Sequence, residues 1–316
     1  MFCFFALLSC DPDPVDSAVD SAEDSGLVDP NGDPLTVPLG GYCPLETHWG
    51  AFVVEAYDTY SIADGQVSNG VVPATVLEAV ASEGDCTLWK KNNPYCDPTC
   101  EPGFTCNFDS ECVPYPEAQD VGTVTISGLV DDVVMEPLAP TYQYFDTRLT
   151  HPAFEPGVLV ELTTTGGNYD PFTLHAVGVN LLTPSATTWE VAAGQDLAVS
   201  WDVPTETVRS SVDLALNIDQ HGATPVTLKC SFADTGAAVV AASVLDALFG
   251  YGISGYPSAS LSRRTVDHTD VGEGCVDFAL GHEWLIDVTV AGHTPCSSPA
   301  DCPEGQECNM TLQTCE

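Results

Sequence analysis

The sequence has very few basic residues. Only seven of its 316 residues are Lys or Arg, whereas 46 are Asp or Glu, so the formal net charge at pH 7 is −39. A chain this acidic cannot bind DNA or RNA by neutralising phosphates. It cannot be drawn to an anionic membrane surface by electrostatic attraction either. Nucleic acid is therefore excluded as a partner.

The first apolar run, from Phe2 to Leu8, is too short to cross a bilayer, because a membrane-spanning helix needs about 20 residues. A short apolar run before small residues is typical of a secretory signal peptide, which we place at residues 1–9. The sequence Leu7-Leu8-Ser9-Cys10 resembles the lipobox of bacterial lipoproteins, although no Lys or Arg precedes the run. The resemblance implies that Cys10 is the lipidated first residue of the mature chain and that its anchor binds a membrane.

Residues 10–42 are predicted to be this lipidated cysteine followed by a disordered acidic tether. The stretch 11–33 contains eight acidic residues, no basic residue and no aromatic one. Such a segment buries too little apolar area to offset the entropy of ordering it, and its like charges keep it extended. The expected location is the cell envelope, at the outer membrane or the cell surface.

The cysteine count indicates an oxidising compartment. The chain has 14 cysteines, and removing Cys3 with the leader and Cys10 as the lipid carrier leaves an even number, twelve. An exported chain with an even number is typically disulfide-bonded. Four of the twelve are isolated in the sequence. They are predicted to pair as Cys43–Cys86 and Cys230–Cys275.

The other eight cysteines form two clusters that share the pattern C-x2-G-x2-C and end in a further cysteine. The clusters comprise Cys96, Cys100, Cys106 and Cys112, and Cys296, Cys302, Cys308 and Cys315. We predict two small disulfide-rich modules, one inserted at 96–114 and one at the end, 296–316. Zinc is disfavoured because neither cluster has a C-x2-C pair or an internal His. Spacing alone allows three connectivities in each cluster.

Both clusters resemble small cysteine-rich modules, loosely EGF-like or dickkopf-like, that recur in surface lipoproteins of predatory and soil bacteria such as myxobacteria. The resemblance covers about 20 residues in each case. It implies that the first cysteine pairs with the third and the second with the fourth.

Residues 43–292 are predicted to fold as an antiparallel β-sandwich. Short apolar or alternating runs of five to nine residues are separated by Gly, Pro, Asn or Asp, which favours this class. The runs are 51–56, 121–129, 158–162, 172–179, 197–201, 212–218, 226–232, 275–280 and 284–290. One helix is expected at 241–250. Whether 43–130 and 131–292 are separate domains stays open.

Two features bear on chemistry. The turn Asp234-Thr235-Gly236 resembles the catalytic turn of retropepsin-type aspartic proteases, which makes Asp234 a weak catalytic candidate, but Asp-Thr-Gly is also an ordinary turn and this interpretation is preferred. Acidic loops of β-sandwiches can bind calcium. The candidate calcium ligands are Asp131, Asp132, Asp267, Asp270 and Glu273.

The sequence thus predicts a non-enzymatic, lipid-anchored envelope protein with a binding or structural role, and with an unidentified protein or glycan partner. No cofactor other than calcium is indicated. The alternatives are a secreted aspartic protease that uses Asp234 and a calcium- or carbohydrate-binding adhesion module.

Overall fold

The computed structural model describes residues 39–72, 77–91, 94–107, 110–205, 210–218 and 226–316. The signal peptide, Cys10 and residues 11–38 of the tether lie outside these ranges. Within them the chain forms twenty β-strands and one α-helix, so the prediction of a mainly β fold is confirmed. None of the described helical segments has the length and apolar character of a membrane span.

The strands are numbered in chain order. The first ten are β1 (His48–Ala56), β2 (Ser61–Val67), β3 (Leu77–Glu83), β4 (Cys86–Lys91), β5 (Phe104–Cys106), β6 (Cys112–Pro114), β7 (Val124–Ser127), β8 (Val133–Met135), β9 (Tyr144–Asp146) and β10 (Leu159–Thr164). The next six are β11 (Thr173–Val177), β12 (Thr188–Val191), β13 (Leu197–Ser200), β14 (Ser211–Asn217), β15 (Val226–Ala233) and β16 (Ala237–Val240). The last four are β17 (Ser258–Val271), β18 (Gly274–Val290), β19 (Cys308–Asn309) and β20 (Thr314–Cys315).

The helix α1 (Ala242–Phe249) follows β16, and a 3-10 turn spans Pro299–Asp301. The predicted helix at 241–250 is therefore confirmed. Its apolar residues recur three and four positions apart, so Val244, Leu245 and Leu248 share one buried face.

One ten-stranded sheet organises the body. Its order is β3-β4-β15-β14-β17-β18-β1-β2-β9, and β12 pairs with the final part of β18. The pairs β1–β18 and β12–β18 are parallel, whereas the other pairs of this sheet are antiparallel. A four-stranded sheet, β11-β10-β7-β8, and a two-stranded sheet, β13-β16, complete the body.

The hairpin of β17 and β18 is the longest element, with 14 and 17 residues. The sequence predicted two short strands, 275–280 and 284–290, where the structure has the single strand β18. The apolar pattern is interrupted at Gly281-His282-Glu283, yet the ladder with β17 continues through these residues. Hydrogen bonding to both neighbours therefore holds the strand together where its apolar side chains stop.

Two apolar cores lie on the same face of the ten-stranded sheet, which we call the closed face. The first core packs Phe52 and Phe278 beneath the four-stranded sheet, and the second packs Leu214 and Leu228 beneath α1 and β13–β16. Each core combines residues from before and after position 130. A boundary at that position would therefore cut through both.

The opposite face of the sheet, which we call the open face, carries small and charged side chains. Successive residues of a strand point to opposite faces, so Leu214 and Leu261 belong to the closed face while Asp213 and Ser262 belong to the open one. The alternating burial of β14 and β15 shows this difference.

All twelve body cysteines are paired. The two modules have first-to-third and second-to-fourth bonds, as the resemblance implied: Cys96–Cys106, Cys100–Cys112, Cys296–Cys308 and Cys302–Cys315. The prediction for the isolated four is wrong, because they pair as Cys43–Cys275 and Cys86–Cys230. The register explains this: Cys86 lies directly opposite Cys230 in the ladder of β4 and β15, and the parallel start of β1 on β18 brings residue 43 to Cys275.

Candidate functional site

The open face contains a cleft of about 720 Å³. Its floor is low because the strands present small side chains there, among them Ala51, Ala215, Ser260, Ser262 and Ala279. A volume of this size is typical of sites for small molecules, which occupy roughly 300–1,000 Å³. The cleft is therefore the main candidate for a binding site in the described part of the chain.

The segment that leads from the tether into β1 forms one wall of the cleft. The Tyr42 hydroxyl donates a hydrogen bond to Asp213 Oδ2 at 2.9 Å, and the Cys43 amide donates one to Asp277 Oδ1 at 2.7 Å. The disulfide Cys43–Cys275 fixes the same segment to β18. Burial and the nearby Asp213 raise the pKa of Tyr42, so its hydroxyl stays protonated and remains a donor.

Charged residues of three strands meet at Arg264. Its Nη2 lies 2.7 Å from Glu55 Oε2 and 3.0 Å from Glu283 Oε2. Gly281 stands opposite both Arg264 and Glu55 in the register, and a Cβ there would lie 2.4 Å from Arg264 Cγ. The arginine can therefore reach Glu55 only because the position between them has no side chain.

The charge compensation in this group is incomplete. The Glu55 side chain is 3% exposed, and its Oε1 atom accepts no hydrogen bond, while Arg264 Nε donates none. Burial raises the pKa of Glu55 to about 7, against the attraction of Arg264. Desolvation of the carboxylate thus outweighs its ion pair.

A second ion pair lies at the other end of the cleft. His48 Nε2 is 3.2 Å from Asp277 Oδ2, and this contact raises the pKa of His48 above its usual value. The cleft lining as a whole includes four carboxylates and three basic side chains. The carboxylates belong to Asp85, Asp213, Asp277 and Glu283, and the basic side chains to His48, Lys229 and Arg264.

The closed face has a contrasting arginine between its two cores. Arg263 is fully buried, and its Nε lies 2.7 Å from Asp234 Oδ2. Its remaining donors bind Asp234 Oδ1 and the backbone carbonyls of Asn180, Leu181 and Asp202. This guanidinium is therefore paired on all sides.

The protease candidate Asp234 occupies the turn between β15 and β16, where Gly236 adopts a positive φ of 94°. Besides Arg263, its carboxylate accepts hydrogen bonds from Trp201 Nε1 at 2.8 Å and Ser210 Oγ at 2.7 Å. Aspartic protease chemistry needs two carboxylates that share a proton. Here the charged partner of Asp234 is the guanidinium of Arg263.

The candidate calcium ligands are dispersed. Asp131 accepts a hydrogen bond from Thr150, and Asp132 accepts one from Gly128. Asp267 is buried and accepts bonds from the amides of Gly40 and His175. Asp270 and Glu273 are exposed, and Asp270 points to the opposite face from Asp267 because they lie three positions apart on β17.

Among the described residues, three groups of side chains bring potential metal ligands close together. Each group of three His, Cys, Asp or Glu ligand atoms within 4.8 Å of one another there includes cysteines that are already in disulfides. A cysteine in a disulfide has no thiolate to offer zinc. The structure does not bring the five calcium candidates together.

Sequence reasoning missed the polar groups that line the cleft, Tyr42, Asp213, Arg264 and Glu283, and the buried Glu55 that pairs with Arg264. One signal was available, because Arg263-Arg264 places two of only seven basic residues side by side. In a strand, adjacent residues point to opposite faces. The pair therefore indicates a cation on each side of a sheet.

The chain matches no family model and no curated protein. The basis for a function is therefore the chemistry of its own residues.

Proposed function

We propose that the protein is a non-enzymatic, lipid-anchored component of the cell envelope, and that its body has a binding role outside the cytoplasm. Cys10 carries the anchor, and the tether predicted over residues 10–42 joins it to the body, although the end of this segment is ordered, since Gly40 and Tyr42 are hydrogen-bonded to the sheet. The ligand site is the cleft on the open face.

The six disulfides are the observation that carries this proposal. They use every cysteine from Cys43 to Cys315. Disulfides persist in oxidising compartments and are rare in the cytosol, where thiols are kept reduced. Full pairing of twelve cysteines supports an exported protein, and export is what the lipobox-like sequence before Cys10 implies.

The charge supports a position away from the anionic membrane surface. Outside residues 11–33 the chain has 38 acidic residues against seven basic ones. Anionic headgroups repel such a body, and an extended tether keeps it at a distance. A lipid anchor can hold this acidic body at a membrane that repels it, because acyl chains bind through buried methylenes rather than through charge.

The structure also favours binding over catalysis at the candidate residues. Asp234 is held by Arg263, Trp201 and Ser210, so no lone carboxylate is presented to a substrate at that turn. The cleft, by contrast, is open and lined by polar groups from several strands.

The anchor is tested by comparing two cysteine variants in the native host. Cys10→Ala should move the protein from the membrane fraction to the soluble fraction and abolish labelling by a palmitate analogue. Cys3→Ala is the matched control, since this cysteine lies in the leader and should change neither readout. Membrane retention and continued labelling of Cys10→Ala would refute the anchor.

A further inference from the structure

We infer that the body is a force-transmitting link between the tether and the second module, residues 296–316, and that tension between them runs along the single strand β18 without unravelling the rest of the sheet. This inference rests on the proposed anchor, because a protein held by its tether is pulled from that end. The disulfides of the body decide the path that such tension takes.

A covalent bond fastens the end of the tether to β18. Ahead of this bond lie weaker contacts, among them the hydrogen bond from the Gly40 amide to Asp267 Oδ1 at 2.9 Å. Such hydrogen bonds open under tension, because each contributes little net free energy. The disulfide Cys43–Cys275 then takes the pull and passes it to the start of β18. Residues 44–274 form a loop that this bond closes, so they lie outside the force path.

The strand β18 is suited to carry tension along its axis. It is held from both sides, since β17 pairs with Gly274–Asp287, β1 with Cys275–His282 and β12 with Asp287–Val290. A strand rises about 3.3 Å per residue, against a limit of about 3.6 Å for a fully extended chain. Tension along β18 therefore gains almost no length, even where its hydrogen bonds break.

The other end of β18 leads into the second module through a short connection. Only residues 291–295 lie between the strand and Cys296. Inside the module, the disulfide Cys302–Cys315 shortens the path again. The part of the body that tension can draw out is therefore the stretch from Cys275 to Cys302, which is roughly 100 Å long when fully extended.

The second long-range disulfide separates this role from stabilisation in general. Cys86–Cys230 lies inside the loop that Cys43–Cys275 closes, so it is not on the force path. Either bond would serve stability alone, since both close long loops of the unfolded chain. Only Cys43–Cys275 connects the tether directly to the strand that enters the second module.

The test is single-molecule force spectroscopy of the full mature chain, held by handles at its two ends. In the wild-type protein, complete unfolding should extend the body to no more than roughly 100 Å. In the variant Cys43→Ala/Cys275→Ala, the path runs from position 43 to Cys86, across the second disulfide, and from Cys230 to Cys302. Its extended length should therefore rise about fourfold, to roughly 400 Å.

The variant Cys86→Ala/Cys230→Ala is the matched control. It also removes a long-range disulfide and lowers stability, yet its extended length should stay at the wild-type value, because the bond lies off the force path. The inference is overturned if the wild-type body extends to roughly 400 Å or more, or if the two variants lengthen equally. Should the first variant fail to fold, the wild-type and control lengths still decide the outcome.

The force measurement and the anchor test can fail separately. The handles take the place of the lipid, so a soluble protein with a short extended length would refute the anchor alone. A membrane-bound protein with a long extended length would refute the force path alone.

Discussion

Arg263 and Arg264 are neighbours in the sequence but lie on opposite faces of one sheet. On the closed face, Arg263 is fully buried and every nitrogen has an acceptor in Asp234 or a backbone carbonyl. On the open face, Arg264 is 22% exposed, serves two carboxylates through one nitrogen, and leaves its Nε without a partner.

The difference separates a structural ion pair from a site that can still gain free energy. A buried charge is tolerated when hydrogen bonds satisfy it on all sides, and the closed face meets that condition. The open face does not meet it within the chain itself. We therefore assign a stabilising role to the Arg263 pair, while the Arg264 side belongs to the proposed binding cleft.

The largest effect is expected from the two long-range disulfides. Replacing both cysteines of Cys43–Cys275, or both of Cys86–Cys230, by Ala should lower the free energy of unfolding by about 5 kcal/mol in the chain-entropy model. Urea denaturation measures both losses. A loss below about 1 kcal/mol in either variant would contradict the stabilising role of that disulfide.

Removing each arginine compares the two faces directly. Arg263→Met leaves Asp234 buried beside no cation and should cost about 3–5 kcal/mol of stability. Arg264→Met should cost less, about 1–3 kcal/mol, because Glu55 can become protonated near neutral pH. Urea denaturation at pH 7 measures both. A larger loss for Arg264→Met would reverse the roles of the two faces.

The two faces should also differ in their response to pH. Burial raises the pKa of Glu55 from 4.5 to about 7, so the folded state holds a proton that the unfolded state releases between these values. The contribution of Glu55 to stability is therefore full below pH 4.5 and lost as pH rises through 7, by roughly 3 kcal/mol. Glu55→Gln should remove this decline in urea titrations across the range. Glu78→Gln, at an exposed position of β3, is the control and should retain it.

His282 on the closed face gives the opposite dependence. Burial lowers its pKa from 6.5 to about 4, and its Nδ1 accepts a hydrogen bond from the Leu182 amide at 3.0 Å. Its contribution to stability is full above pH 6.5 and lost as pH falls through 4. In the same urea titrations, the free energy of unfolding of His282→Asn should not fall over this acid range, because Asn does not take up a proton. Together with the result for Glu55, this would confirm that the two faces respond to pH in opposite directions. A decline on the acid side that persists in this variant would assign it to other groups.

The smallest effect is expected at Gly281, where the two arginines and Glu55 meet. A Cβ at this position would lie 2.4 Å from Arg264 Cγ and 2.5 Å from the Arg263 carbonyl oxygen. Gly281→Ala should therefore cost about 1–3 kcal/mol by overpacking and should displace Arg264 from Glu55. Thermal unfolding measures the first effect. Gly292→Ala, at a position where a Cβ meets nothing within 4 Å but φ is 82°, gives the separate cost of backbone strain, which is absent at Gly281 because its φ is not positive.

Local patterns in the sequence predicted the local parts of the fold. Alternating apolar residues indicated strands such as β14 and β15, and the spacing of Val244, Leu245 and Leu248 indicated α1. The repeated C-x2-G-x2-C pattern located both modules. In each of these cases, the relevant residues lie within about 20 positions of one another.

Contacts between residues far apart in the sequence could not be predicted, because they depend on which strands pair and in which register. Cys43 meets Cys275 across 232 positions, and only the parallel pairing of β1 with β18 brings them together. Strand β17 was missed because Arg263, Arg264 and Asp267 interrupt its apolar pattern. The cleft has the same origin, since His48 and Glu283 line it from strands more than 200 residues apart in the sequence.

Peptide mapping of the natively purified protein by mass spectrometry, without reduction, tests the central claim most directly, since both the fold and the proposed export depend on the six disulfides. The account predicts links Cys43–Cys275 and Cys86–Cys230 together with four links inside the two modules. Free thiols at these twelve positions, or zinc bound by them, would contradict it.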